Sequence, residues 1–481
     1  MTQFGLEEDE RYGKNGFECT LCGSYDIELP KDHFYGQDLH GERGVQCVEC
    51  AQWMHCICAQ TSSQIVARYA EPFRCPKCRP EGWSPKLRPL SPSERKQRKW
   101  LEDFPSMAAV TSLPELPAIR VTTDAQLRAA ISAIYPWRDE IIVMDGFDGL
   151  GVKFPENPIT FPSVSKAIAE SSSKMAQQAV RAVDVLRLFD KEETGALMPV
   201  EEMETYANHE ELVFCTLSQV FGNSDEEKRM REDWKPQIVK DLGWMDRIDK
   251  PLSKKEQKER EKYVWPVEFP CVELYIVYSA ALSYTSLHVD FAGSAVFFTL
   301  YEGEKLWILI KPTPANMAIF QGFLDKGDKG DKGERGFDEW AGELYANAKD
   351  VYKFTQTAGQ TIFLPGGWPH IVFTKKKSLV LTGSFWTDLN FETPMRCTQQ
   401  EEAVAEKVFN IGLPFHNLVF LRALVILKDL KNQVEVELHV VEGLETMARR
   451  NRQAAVNEMK DAVSSYKENL DDSKSREATE N

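Results

Sequence analysis

"YTSLHVDFAGSAVFFTLYEGEKLWILI", residues 284–310, decides the fold. Two runs rich in Val, Phe, Ile, Leu and Trp flank the turn-like "YEGEK" and read as two strands joined by a tight connection. The same signal continues outward in "VELYIVYS" (272–279), "QTIFLP" (360–365), "HIVFT" (370–374) and "SLVLTGSFW" (378–386). Short strands separated by turn signals, "PGGWP" among them, predict an all-β sandwich or jelly roll over 272–386.

His288 and Asp290 stand at i and i+2 in this stretch, so on a strand both side chains project from one face. An H-x-D pair is weak by itself, and a lone histidine in an apolar run is more often a core residue. Eighty residues on, "TAGQTIFLPGGWPHIVF" supplies His370 just after a Gly-Gly turn, at the start of another strand. Two histidines and one carboxylate with coordination positions to spare are the facial triad of non-haem Fe(II) oxygenases. Lys305, seventeen residues after His288, begins "KLWILI" and can pair with the carboxylate of a bound acid. Thr285, three before His288, adds a hydroxyl.

The 481 residues correspond to about three domains. Hydrophobic residues make up 42%, enough for large cores. No apolar run reaches the ~18 residues a membrane span needs; the nearest, 418–427, carries Arg422 and reads as a buried helix. The acidic start "MTQFGLEEDE" lacks the apolar core of a signal peptide, so the eleven cysteines are expected to stay reduced and to favour metal thiolates over disulfides. A net charge of −16 argues against whole-chain affinity for nucleic acid. The local exception lies within the Pro-, Ser- and Arg-rich segment 79–100, where Lys86, Arg88, Arg95, Lys96, Arg98 and Lys99 face one acid; it reads as an exposed linker able to touch a polyanion. Helical patterns are expected at 200–206, 236–246, 253–262 and beyond 398, and "DKGDKGDKGERG" (325–336) reads as a surface loop.

Eight of the cysteines lie between Cys19 and Cys78. The candidates run Cys19-x2-Cys22, Cys47-x2-Cys50, His55-x2-Cys58 and Cys75-x2-Cys78, enough for two four-ligand zinc sites with Cys56 left over. This order of four Cys, one His and three Cys resembles the PHD finger, with Trp53 and Phe73 also at matching places. The resemblance implies an interleaved cross-brace: Cys19, Cys22, His55 and Cys58 on one zinc, Cys47, Cys50, Cys75 and Cys78 on the other. It further implies binding of the histone H3 tail, with Trp53 as a methyl-lysine cage wall and Tyr25, Phe17 or Tyr35 as partners. Core packing is the competing role for Trp53, and Val48 stands where many such readers carry an acid.

Thr285, His288, Asp290, Gly293, Gly303, Lys305, Gly367, Trp368 and His370 together resemble the JmjC domain, in the branch of histone lysine demethylases that joins a PHD finger to it. "GLGVKF" (149–154) and "VDVL" (183–186) resemble that branch's lead-in. The resemblance implies an α+β multidomain chain: zinc cross-brace PHD finger, JmjC jelly roll (double-stranded β-helix) with flanking helices, and a C-terminal helical segment. The expected boundaries are 15–80 for the finger, 81–106 for the linker, 107–265 for the lead-in, 266–398 for the catalytic core, 399–470 for the C-terminal helices and 471–481 for a disordered tail. It implies Fe(II) on His288, Asp290 and His370, and 2-oxoglutarate held by Thr285 and Lys305. Two cosubstrate-side positions depart from the pattern, Phe298 for a tyrosine and Ser384 for an asparagine. The implied protein is a nuclear demethylase of methylated histone H3, lysine 36 foremost, acting on nucleosomes with DNA contact through 86–99 and no membrane association. A chromatin adaptor with an inactive JmjC fold and a JmjC protein hydroxylase are the alternatives.

Overall fold

A computed structural model describes residue 20 and residues 45–54, 69–80, 86–153, 159–163, 179–184, 196–199, 214–216, 218–219, 232–244, 274–328, 347–394 and 396–397. The expected helices at 200–206 and 253–262 and the segments beyond 398 lie outside the described residues.

Near the N-terminus β1 (Val45–Gln46) pairs antiparallel with β2 (Trp53–Met54), Val45 opposite Met54 and Gln46 opposite Trp53. The two-residue period sorts them by face: Val45 and Met54 are buried, Gln46 is exposed and Trp53 half-buried.

The expected linker is corrected over half its length, because helix α1 (Pro92–Asp103) occupies it. Ser91, Pro92 and Glu94 form a capping box with proline in the first turn: Ser91 Oγ accepts from Glu94 N–H at 3.2 Å and Ser91 N–H donates to Glu94 Oε2 at 2.7 Å. Arg88 makes a two-pronged pair with Glu94 at 2.8 Å, while Arg98 meets Glu102 and Lys99 meets Asp103 within the helix. Half the basic cluster is therefore answered within the chain. Leu101 and Phe104 are buried, and Trp100 and Phe104 each lie 5.3 Å from the Tyr284 ring, with Phe104 5.4 Å from Phe373. The segment is a strut against the strands that carry the candidate site. Leu101→Ala should cost about 2–4 kcal/mol, the usual range for emptying a buried leucine site, and lower the melting temperature by several degrees. A loose tether would leave the melt unchanged.

Next come β3 (Ile119–Val121), α2 (Asp124–Ala133) and β4 (Ile142–Asp145), a parallel pair with the helix between. Thr123 caps α2, and Leu127 and Ile131, four apart, bury its inner face. Strands β5 (Ala179–Asp184), β6 (Ala196–Pro199), β7 (Phe214–Thr216) and β8 (Ser218–Gln219) precede α3 (Gln237–Leu242), which falls inside the expected 236–246 helix.

The barrel is built from β9 (Tyr275–Ser279), β10 (Tyr284–His288), β11 (Ala295–Ile310), β12 (Val351–Thr357), β13 (Gln360–Leu364) and β14 (His370–Phe385). The strand order is β3-β4-β13-β11-β14-β9-β7-β5-β6, with β10 on β14, β12 on β11 and β8 on β9. The expected turn at "YEGEK" and the expected separation of "HIVFT" from "SLVLTGSFW" are corrected here. β11 and β14 are each one 16-residue strand, paired with each other throughout. The first half of β11 takes β13 as its other neighbour and the second half takes β12; β14 likewise takes β10 and then β9. Register shifts at Leu300, Glu302 and Glu304 bend β11 where "YEGEK" reads as a turn. Gly303 has φ 94°, and a Cβ there would lie 2.3 Å from Lys377 O on the bend of β14. Glu304 anchors that bend through Lys375 and Lys376. Bending both strands together folds one continuous ladder into two facing layers, a jelly roll. Phe298 and Trp307, from the two halves of β11, meet edge-to-face at 4.8 Å across its interior.

Helix α4 (Pro314–Asp328) was not expected from the apolar pattern, although Thr313 before Pro314 is a start signal: Asn316 N–H donates to Thr313 Oγ1 at 3.2 Å. The helix takes in residues 325–328 of the expected loop; 329–336 lie outside the described residues.

Candidate metal centres

Thr285 is the register partner of Val372 and His288 of His370, three residues of β10 against two of β14. This bulge puts Thr285 and His288 on one face, which a regular strand would not do for residues three apart. Asp290 follows the end of β10 in an extended conformation, and the chain then turns through Ala292 (φ 48°) and Gly293 (φ 61°). Trp386 Nε1 donates to Ala292 O at 3.3 Å and holds this turn. His370 arrives from the opposite side on the Gly366–Gly367 turn. A Cβ on Gly366 would lie 2.0 Å from Gly293 O, so the loops bearing Asp290 and His370 touch backbone to backbone.

One ligand atom each from His288, Asp290 and His370 lies within 4.8 Å of the others, with His370 Nε2 3.9 Å from Asp290 Oδ2. His288 Nδ1 is 2.7 Å from Ser286 O, and His370 Nδ1 is 2.9 Å from Trp368 O. A carbonyl only accepts, so each Nδ1 carries the proton and donates, which leaves both Nε2 lone pairs for a metal. Burial pushes the Asp290 carboxyl up to about 6, against the pull of His288. Burial, with His288 beside it, holds His370 well below the usual histidine range. A cation between them would relieve both strains, and the two-His, one-carboxylate donor set fits Fe(II).

Lys305 is the register partner of Thr374 and is 3% exposed. Its Nζ donates to Thr374 Oγ1 at 2.9 Å and to Ser279 Oγ at 3.2 Å, and Ser283 Oγ donates to Thr374 Oγ1 at 2.8 Å. Phe298 brings its ring to within 5.9 Å of Nζ without a hydroxyl. Thr285 is exposed on the same side, whereas Ser384 is buried opposite Val296 on the far half of β14. Thr374 was missed in the sequence, although it stands four after His370 and strand alternation puts both on one face. Trp307, two after Lys305, was readable in the same way.

In the N-terminal unit, the sulfurs of Cys47, Cys50, Cys75 and Cys78 all lie within 4.8 Å of one another, with Cys50 and Cys75 at 3.9 Å. A zinc tetrahedron with bonds near 2.3 Å needs sulfurs about 3.8 Å apart, so the cluster fits Zn(II). Burial opposes ionisation of Cys47, but the N–H groups of Cys75, Cys50 and Glu49 bring it down to about 6. Hydrogen bonds with Cys75 and Cys50 push Cys78 up to about 12. Without a cation one thiolate suppresses its neighbours. Cys19, Cys22, Tyr25, His55 and Cys58 lie outside the described residues.

Residues 275–385 match the family of the JmjC domain, hydroxylase. The chain thus carries a JmjC domain, and the histidine–aspartate–histidine set and Lys305 all fall inside it. It is related to proteins named as JmjC histone demethylases. It is 23% identical to "JmjC domain-containing histone demethylation protein 1" of Aspergillus fumigatus, over 83% of this chain and 30% of that one. "Lysine-specific demethylase 7A" of Danio rerio is 25% identical over 74% of this chain and 38% of its own length. "Histone lysine demethylase PHF8" of the same fish is 22% identical over 75% and 33%. The chain spans about a third of the length of these curated relatives.

Proposed function

We propose that this chain removes methyl groups from histone lysines, with Fe(II) on His288, Asp290 and His370 and 2-oxoglutarate anchored by Lys305. The observation that carries the reading is the triad itself: two histidines with both Nδ1 atoms tied to backbone carbonyls, one carboxylate, and a buried ammonium on the neighbouring strand. Fe(II) bound there supplies oxygen activation coupled to decarboxylation of 2-oxoglutarate; the N-methyl group is hydroxylated and leaves as formaldehyde. The barrel residues hold the cosubstrate, exclude water and orient the methylated side chain, Lys305 through its charge and Thr285 through its hydroxyl. Phe298 and Ser384 belong to the walls and offer less polar contact than the family pattern.

The finer reading is a nuclear enzyme that acts on methylated lysine 36 of histone H3 in nucleosomes. Its N-terminal unit is a PHD reader with two zinc ions, one on Cys47, Cys50, Cys75 and Cys78 and one on Cys19, Cys22, His55 and Cys58. Trp53, half-buried beside fully buried Met54, is available as a cage wall, with Tyr25 as its partner. DNA contact through 86–99 would fall mainly to Lys86, Arg95 and Lys96, since the other three bases are paired.

Methylated histone peptides incubated with the chain, Fe(II) and 2-oxoglutarate test this by mass spectrometry. Succinate with formaldehyde supports the demethylase, succinate with a stable +16 product a hydroxylase, and neither product a binding adaptor. Lys305→Ala should raise the 2-oxoglutarate requirement about 10–100-fold, the value of a charged hydrogen bond, with little change in the peptide requirement. Equal change in both would defeat the anchoring role.

A further inference from the structure

Gln356 lies in β12 opposite Lys305 and is fully buried, with its amide inside the barrel. Its Oε1 accepts from Trp307 Nε1 at 2.9 Å. Its Nε2 donates to Phe298 O at 2.9 Å and to Gln360 O at 3.0 Å. One amide therefore ties both halves of β11, through the Trp307 side chain and the Phe298 backbone, to the start of β13. The Trp307 ring held this way has the His370 ring on one side, 5.5 Å away and tilted by 31°, and the edge of Phe298 on the other. Phe298 in turn lies near the Lys305 ammonium. The indole is thus a partition between the His370 end of the barrel and the Lys305 end, and the only polar atom of its side chain is spent on Gln356.

We propose that Gln356 is a positioning residue of the metal site: its amide fixes the Trp307 indole, and the indole fixes the His370 ring. Among the described residues His370 hydrogen-bonds Trp368 O, which sets its tautomer, while the orientation of its buried ring is set by packing, by His288 at 4.2 Å on one hand and Trp307 on the other. Trp307 is the part of that packing that Gln356 controls. Outer partners that hydrogen-bond a ligand directly are worth about 10–100-fold in metal binding, and a support acting through packing should fall at the low end of that range. The inference rests on the triad's being a metal centre.

The test uses the full chain and Mn(II) as probe, followed by loss of the aqueous Mn(II) resonance, so that no turnover is needed. Gln356→Met keeps length and apolar bulk while removing the acceptor, and should weaken Mn(II) binding about tenfold by that outer-contact scale. Trp307→Phe keeps a ring but removes the indole N–H, and should weaken binding similarly. In the Trp307→Phe background, Gln356→Met should add little further loss, because the pathway runs through the indole. Wild-type affinity in Gln356→Met overturns the proposal. So does an equal loss in both backgrounds, which would make Gln356 a general brace of the barrel. Binding by the parent chain that ignores His288→Ala defeats the metal reading itself, a result separable from either of these.

Discussion

His288→Ala should abolish formation of succinate from 2-oxoglutarate while leaving the chain folded. The residue supplies one of three ligand atoms, its tautomer fixed by Ser286 O, and alanine offers no donor in its place. Loss of outer-shell partners costs metal sites about 10–100-fold, so loss of a ligand should cost on the order of a thousandfold or more. The fold should survive because His288 ends β10 only half-buried, and the β10–β14 ladder is carried by Tyr284 and Thr285. Succinate measured beside a melting curve separates these effects. Undiminished succinate would remove His288 from the centre.

Gly366→Ala should produce a large loss of stability. The new Cβ would sit 2.0 Å from Gly293 O, and neither partner is a movable side chain. Overpacking of this kind costs about 3 kcal/mol, toward the top of its usual range. The only relief is separation of the two loops, which carries Asp290 away from His370, so Mn(II) affinity should fall with the melting temperature. Gly322→Ala is the matched control: in α4 with nothing within 4 Å of its added Cβ, it should stabilise by about 0.5–1 kcal/mol through helix propensity. If the two variants melt alike, the loop contact has no energetic weight.

The site was more legible than the strands that build it. His288, Asp290, His370 and Lys305 declared themselves by side-chain chemistry, which survives any local backbone error. The bend of β11 was misread because "YEGEK" carries the glycine and charges of an exposed turn, yet it marks a bulge in an unbroken strand. A bulge and a turn differ in whether the ladder resumes with the same neighbour, a long-range fact that no window of sequence holds. Helix α1 failed for another reason: its lysines and arginines looked like a solvated tether, although Ser91, Pro92 and Glu94 spelled a capped start. Gln356 gave no chemical signal, since an amide becomes informative only once the barrel brings it to the Trp307 indole.

The long shared ladder of β11 and β14 also sets the order in which the molecule can be made. His288 and His370 are register partners across about eighty residues, so neither sees the other until the barrel has closed. Closure on that scale must be completed before the contacts that reward it exist, and one H-x-D segment cannot grip an ion alone. A metal held by His288, Asp290 and His370 would enter only after folding, so a chelator should empty that site from an intact barrel. The four-cysteine cluster is the nearer pairing: two C-x2-C clips separated only by residues 51–74. A zinc held there would be coupled to folding, and its removal should loosen that part of the chain. One chelation experiment thus finds the two centres on opposite sides of the folding reaction.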